Sequence, residues 1–471
     1  MKKSRLLCAA MAAVMTVGIA NIPVSAELSA APEAQDTAIV DVNDKKDYDE
    51  ADWEAYKRKY WLGCNCDEDD DGEYDEDEID IKITNDGIIY GVYSNVPEVY
   101  LVDYIGKGED LVIPKEINGF TVSVLDCFDD DMRILNFDNI ENIKTLTIKA
   151  ELSDLYSSFN NCPKLEKVVL PDGLTSIGGF PYNDAPYSKE NSVFSNCPKL
   201  KEVYIPDSVE YVRGYSFFNT PWLEAREKSE GLVIIGKSLL SGRQAKGKVV
   251  IPNTVTTICS KAFFDNDKMT ELVVPGTIGT DYDIWEEYWN SAKVFYNCTA
   301  LNMITFKNGC GYMFDFLTEE DAPNLKKVIL PPSFFQGAAE YAFNQYDKPT
   351  YYYYKGTPTE KALKLKKYSH VKKSVLPAKT KKFKAAGKKR AVKTVWKPVS
   401  SATGYQIQLS TVKTFKKNVT KKYIKNSKKT TYTFKNRVKG RKYYVRMRSY
   451  KTIDGKKYYG NFTKVKAVRA K

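Results

Sequence analysis

The sequence predicts a mainly β protein with some α: a solenoid of short coils carrying a parallel sheet, followed by a small all-β sandwich. Three observations predict it. A phrase recurs almost unchanged, FNNCPKLEKVVLP at 159–171 and FSNCPKLKEVYIP at 194–206. Prolines close such phrases at Pro171, Pro206, Pro252, Pro275 and Pro331; the steps of 46 from Pro206 to Pro252 and 23 from Pro252 to Pro275 set a lattice unit of 23 residues, and the step of 35 from Pro171 to Pro206 is one unit plus a twelve-residue insertion. Beyond residue 374, short alternating runs separated by turn signals replace the repeat. A fixed period in that range marks a solenoid, in which each coil buries its apolar side against its neighbours.

Each unit places apolar residues at three positions: Leu165, Val168 and Leu170; Leu200, Val203 and Ile205; Met269, Leu272 and Val274; Leu301, Ile304 and Phe306; Leu325, Val328 and Leu330. The last two of each set alternate with period two, which predicts a short strand with one buried face. Stacked coil on coil, these strands form one continuous parallel sheet. The second half of the unit repeats as Leu174-x-x-Ile177, Val209-x-x-Val212 and Val255-x-x-Ile258. With these residues the units resemble BspA-like leucine-rich repeats of bacterial surface proteins, over about 108–345. The stretch PWLEAREKSEGLVIIGKSLL at 221–240 resembles a hairpin-like coil common in that family. The resemblance implies adhesion to host protein or to other bacteria.

The cysteine of the repeated phrase occupies a column: Cys162, Cys197, Thr220, Asn266, Cys298 and Ala322. A metal ligand or redox thiol would not tolerate replacement by alanine or threonine from coil to coil, whereas a small buried slot would. Stacked cysteines also leave room for a disulfide between neighbouring coils where their Cβ vectors converge. Near the end of the repeats, Thr357, Pro358 and Glu360 form a capping box with proline at the first helical position, predicting a helix that closes the solenoid.

Residues 377–471 alternate as Val392, Thr394, Trp396; Tyr405, Ile407, Leu409; Tyr432, Phe434; and Tyr443, Val445, Met447. VWKPVSSATGYQIQLS and GRKYYVRMRSY resemble a fibronectin type III domain, and the resemblance implies Trp396 as core tryptophan and Tyr443 as corner tyrosine. With Tyr443, Val445 and Met447 inward, Lys442, Arg446 and Arg448 face out. Residues 374–471 hold 31 Lys/Arg and a single acid, Asp454, while residues 27–100 hold 23 Asp/Glu against 6 Lys/Arg. Two readings fit the basic face, a solubilising coat or a polyanion-binding surface. The charge excess favours the second, with anionic cell-wall polymer as the nearest partner and nucleic acid or a sulfated host glycan as others it would attract.

The remaining features bound the function. A basic start, an apolar run from Leu6 to Ala20 and Val24-Ser25-Ala26 predict a signal peptide over 1–26, with no later transmembrane segment. The expected organisation is an acidic N-terminal segment and cap over 27–100, the solenoid with its helix over 101–372, and the basic sandwich over 374–471, in a secreted, surface-associated chain. DEDDDGEYDEDE offers Asp67, Asp69, Asp71, Glu73, Asp75 and Glu78 at calcium-loop spacing. Any carboxylate template matches so acidic a run, so a solvated loop is the rival reading to calcium; Cys64 and Cys66 offer two thiols to a soft metal, without a histidine partner. One histidine, His370, in a lysine tract argues against histidine-zinc sites and Ser-His-Asp catalysis, and no phosphate-cradling glycine loop occurs, so the chain reads as a non-enzyme.

A surface remains. The outward strand position nearest the proline reads Val169, Tyr204, Val273, Thr305 and Ile329, either a protein-docking stripe or β-propensity alone. Trp285, Tyr288 and Trp289 in DYDIWEEYWN offer rings to a glycan. They support the alternative of a non-catalytic carbohydrate-binding accessory to secreted polysaccharide degradation.

Overall fold

The computed structural model describes residue 51 and residues 79–93, 98–124, 140–155, 159–178, 193–278, 294–310, 319–333, 348–365 and 374–471. Trp285, Tyr288, Trp289, the six carboxylates of the acidic loop, Cys64, Cys66, His370 and the signal segment lie outside them.

The described part opens with a five-stranded sheet. Ile79–Ile83, Ile88–Tyr93 and Glu98–Tyr104 run antiparallel, and Glu98–Tyr104 then pairs in parallel with Phe120–Val124. Its inner residues Ile88, Tyr90, Val99 and Leu101 are buried in the same core as the first coils, so this sheet covers their apolar end.

The repeat then proceeds as predicted at the level of each coil. Val168, Leu170, Leu200, Leu272, Val274, Ile304, Val328 and Leu330 are buried, while the residues between them point outward; Val203 and Ile205, on the last strand of the first sheet, are only half-buried against the core. Inside the stack, phenylalanines lie ring on ring: Phe159 on Phe194 at 5.8 Å, Phe194 on Phe217 at 5.5 Å and Phe263 on Phe295 at 5.4 Å. Backbone bonds join one coil to the next throughout, as in Lys201 N–H to Glu166 O and Lys326 N–H to Asn302 O.

The expected single sheet is two sheets. Asp110–Ile113, Thr145–Ile148, Lys167–Val169 and Glu202–Tyr204 form the first. Gly247–Val250, Met269–Val274, Met303–Phe306, Lys327–Ile329, Thr350–Tyr354 and Ser374–Leu376 form the second. Between them in the chain lies a helix, Pro221–Glu230. Thr220 caps it by accepting from Leu223 N–H at 3.2 Å, Pro221 sits where no amide partner is needed, and Gly231 ends it at φ 73°. Exposed pairs at i,i+4, Arg226–Glu230 and Glu224–Lys228, line its solvent side. Trp222 packs on Phe217 at 4.5 Å and anchors the helix to the ring stack.

The second row of strands is divided at the same place: Asp154–Leu155, Ser176–Ile177 and Tyr211–Val212 form one three-stranded sheet, and the hairpin that follows the helix, Val233–Ile235 with Ser238–Ser241, begins another. Ser238–Ser241 pairs in parallel with Thr257–Ile258, and Ser238 Oγ accepts from Val212 N–H at 3.0 Å on the other side. Its turn residue Gly236 has φ 52°, and a Cβ there would sit 2.4 Å from the Glu210 carbonyl, so only glycine lets the turn approach the preceding coil.

The closing helix Pro358–Leu365 forms with the predicted cap. Thr357 Oγ1 accepts from Glu360 N–H at 3.2 Å, and Glu360 reaches back to Gly356 N–H at 2.7 Å. It does not end the solenoid, because Ser374–Leu376 adds one more strand to the second sheet beside Thr350–Tyr354. The chain therefore leaves the solenoid through a paired strand. Ala378 O then accepts from Ser449 Oγ at 2.7 Å, Lys355 Nζ donates to Asn461 Oδ1 at 2.7 Å and Tyr354 meets Tyr458 at 5.8 Å.

The C-terminal part is a two-sheet sandwich. Lys384–Lys388, Ala391–Val395 and Thr431–Phe434 form one sheet; Val419–Ile424, Gly404–Ser410, Lys442–Ile453, Lys456–Tyr459 and Lys466–Arg469 form the other. Trp396 is buried against Tyr405 at 5.3 Å, and Tyr443 Oη accepts from Val438 N–H at 3.0 Å, five residues upstream.

Candidate binding surfaces

The cysteine column is a buried slot, and its chemistry is more specific than size. Every member, Cys162, Cys197, Thr220, Asn266, Cys298 and Ala322, is at most 2% exposed. Four of the five polar members donate to a carbonyl at the ring stack: Cys162 Sγ to Phe159 O at 3.0 Å, Cys197 Sγ to the same oxygen at 3.3 Å, Thr220 Oγ1 to Phe217 O at 2.7 Å, and Cys298 Sγ to Phe263 O at 3.0 Å. Asn266 Nδ2 donates to Gly242 O and Ala245 O instead. The slot thus selects a small donor that satisfies a buried carbonyl. Cys162, Cys197, Cys259 and Cys298 are free thiols, and burial pushes Cys259 and Cys298 up to about 12, far from a reactive thiolate.

One residue before the slot runs a second column that sequence reasoning missed. Asn161, Asn196, Asn219, Asp265 and Asn297 all adopt positive φ, between 54° and 58°. Asn219 Nδ2 donates to Asn196 Oδ1 at 2.8 Å and Asn297 Nδ2 to Asp265 Oδ1 at 2.9 Å, tying successive coils together. The signal was present as the asparagine or aspartate of each NC, NT and DN pair, residue types that tolerate this conformation.

The outward column is in register. Val169 stands opposite Tyr204 on one side and Thr147 on the other, with Val112 beyond. In the second sheet Val250, Val273, Thr305, Ile329, Tyr352 and Ser374 stand opposite one another in turn. Sequence reading named five of these ten positions. Exposure is greatest where the sheets end: Val112 is 40% open, Tyr204 42% and Val250 48%. Tyr204 and Val250 thus lie on the two strands that flank the helix coil in the chain. Beside the stripe, charges pair across coils: Lys144 with Glu109, Lys201 with Glu166, Lys167 with Glu202 and Lys248 with Glu271. The sheet face is therefore an apolar stripe whose border is largely paired along the first sheet and at the start of the second, while Lys326 and Lys327 stand exposed beside Ile329. In the strand Thr350–Tyr354, Tyr351, Tyr353 and Tyr354 are buried and Tyr352 joins the stripe.

On the sandwich, Lys442 is exposed, while Arg446 and Arg448 are half-buried. Arg446 lies over Phe415 at 4.2 Å and Phe462 at 3.9 Å; Arg448 lies over Phe462 at 4.4 Å and Tyr459 at 3.8 Å. Burial lowers both guanidinium pKa values, without threatening their charge. Among the described residues no group of three or more His, Cys, Asp or Glu side chains gathers to hold a metal, and no helix is long and apolar enough to cross a membrane.

This architecture of phenylalanine-stacked coils with an in-register sheet is that of a repeat protein. The chain belongs to the BspA-type leucine-rich repeat family: that repeat region matches in six copies over residues 134–189, 187–281 and 291–384, together just over half of its length. The family matched is a repeat family, and no enzymatic family is indicated. No curated protein matches the chain. Among solved structures it is similar to a leucine-rich repeat protein from Bacteroides ovatus, at 16% identity over 53% of this chain and 59% of that one with a TM-score of 0.27. It is also similar to a leucine-rich cell surface protein from Faecalibacterium prausnitzii, at 14% identity over 60% and 97% with a TM-score of 0.20. A third likeness, to a Fn3-like protein from Clostridium thermocellum, covers 20% of this chain and 94% of that one at 18% identity with a TM-score of 0.17.

Proposed function

We propose that the protein is an exported, cell-surface-associated binding protein of adhesin type. The outer face of its parallel sheets docks a host or bacterial surface protein. Its basic, fibronectin type III-like sandwich holds the chain to anionic cell-wall polymer. BspA-like repeat proteins in general are adhesin-like or protein-binding, which supports the class.

The observation that carries the reading is the ten-residue outward column. It is apolar or β-branched along most of its length, is most open at Val112, Tyr204 and Val250, and around Tyr204 is bordered by charges already paired with each other. Around Tyr204 the paired border leaves little net field, so recognition there rests on apolar contact and on tyrosine, a residue enriched at binding hot spots. The test is an array of matrix proteins and bacterial surface proteins probed with the mature chain. Binding that Tyr204→Ala weakens at least tenfold supports the reading; binding to glycans that only Trp285→Ala and Trp289→Ala abolish supports the carbohydrate-binding accessory instead.

A further inference from the structure

The two arginines of the sandwich form a built element rather than part of a diffuse coat. Arg446 and Arg448 face the same way from one strand, two residues apart, and each stands opposite a glutamine of the neighbouring strand, Gln408 and Gln406. Both glutamines are buried, at 6% and 2% exposure. Arg446 Nε donates to Gln408 Oε1 at 2.9 Å and Arg448 Nε to Gln406 Oε1 at 2.8 Å. Gln408 Nε2 donates in turn to Gln406 Oε1 at 3.3 Å, and Gln406 Nε2 to the Tyr423 hydroxyl.

The aromatic rings complete the frame. Phe415, Arg446, Phe462, Arg448 and Tyr459 alternate ring and guanidinium, so each arginine is fixed in orientation by rings beside it and by one bond through Nε. Among the described residues no carboxylate pairs with either arginine, and neither makes a hydrogen bond through its Nη groups. A guanidinium held by Nε and presenting its Nη edge is the geometry that takes an oxyanion through two parallel bonds. Lys421, opposite Gln408, adds a charge on the same row.

The geometry points to a binding site for two successive phosphodiester groups of a polyol-phosphate chain. Residues two apart on a strand are about 6.6 Å apart, a span that phosphates joined through a three-carbon polyol can match. A nucleic acid backbone has a similar phosphate spacing, but base recognition by single strands uses open aromatic faces. Here Phe415, Phe462 and Tyr459 have guanidinium groups over them, which favours the polymer without bases. This inference rests on the proposal that the basic sandwich binds an anionic polymer and narrows it to two residues.

The experiment measures binding of the mature chain to a synthetic glycerol-phosphate oligomer, to single-stranded DNA of equal charge and to polygalacturonate. Arg446→Lys with Arg448→Lys keeps both charges and removes both planar forks. It is expected to weaken glycerol-phosphate binding at least tenfold, whereas Lys388→Ala with Lys389→Ala, exposed on the other sheet, changes it less than threefold. Because the arginine pair also packs the face, unfolding midpoints are measured alongside. Gln406→Glu, which keeps shape and occupies Arg448 with an internal carboxylate, is expected to weaken binding at least threefold by itself.

If the lysine pair binds within twofold of wild type, the site is wrong while the broader polyanion reading survives. If wild type binds none of the three polymers, both fail. If DNA binds as tightly as glycerol phosphate and depends on the same arginines, or if polygalacturonate does, the assignment to a polyol phosphate is overturned.

Discussion

Tyr204 stands directly opposite Val169 across a parallel strand pair, with 42% of its surface open, while Leu200 four residues earlier in the same coil is fully buried. The two residues therefore separate stability from recognition. Leu200→Ala removes a fully packed side chain and should cost about 2–5 kcal/mol, whereas Tyr204→Ala should stay within about 0.5 kcal/mol of wild type. Urea unfolding of the two variants checks the contrast.

The asparagine column predicts a backbone effect. Asn196 holds φ 55°, a conformation that costs an ordinary side chain about 1–2 kcal/mol. Asn196→Ala should lose roughly that amount, including its bond with Asn219, and Asn196→Gly should lose less because glycine adopts the angle freely. Equal losses in equilibrium unfolding would show that the side-chain bond, rather than φ, sets the residue.

The thiol slot predicts inert chemistry. Cys298 donates to the Phe263 carbonyl and is held up to about 12 by burial, so at neutral pH it should resist alkylation until the protein unfolds. Peptide mapping after iodoacetamide treatment, with and without denaturant, reads this directly. The linkage has a definite sign. The folded thiol titrates above its unfolded value of 9.0, so its contribution to stability is complete below pH 9 and is lost as pH rises from 9 to about 12. Cys298→Ala, with the residue already used at Ala322 in the same slot, should flatten that part of the alkaline stability curve relative to wild type.

The two proposed surfaces should answer salt differently. A partner held by the apolar stripe around Tyr204 meets a border whose charges are paired, so its affinity should change less than threefold between 50 mM and 300 mM salt. Wall polymer held by a domain with 31 cations and one acid should bind at least tenfold more weakly over the same range, through counterion release. Parallel titrations with isolated cell walls and with the protein ligand make the comparison.

The coil was legible in the sequence because each of its parts uses a local signal. Period-two alternation before each proline placed Val168, Val203, Leu272, Ile304 and Val328, and the run Thr357-Pro358-Thr359-Glu360 placed the second helix. The slot was legible from its replacements, since Thr220, Asn266 and Ala322 share with cysteine only small or polar-donor character. The break in the sheet was less so: PWLEAREKSE carries a cap and a first-turn proline, but its kinship with the repeat concealed a helix. The extension of the stripe to Val112, Thr147, Val250 and Tyr352 needed register between strands, which no single coil specifies. The arginine frame was out of reach for the same reason, because Phe415 and Phe462 meet Arg446 only after three separate segments of the sandwich have folded together.

The most direct test of the central claim is the affinity of the mature chain for its array-selected protein ligand before and after Tyr204→Ala with Val250→Ala, the two exposed apolar residues on the strands flanking the helix coil. An unchanged unfolding midpoint with at least a tenfold loss of affinity is the predicted result. Wild-type affinity in that double variant would contradict the claim that the sheet face is the recognition surface.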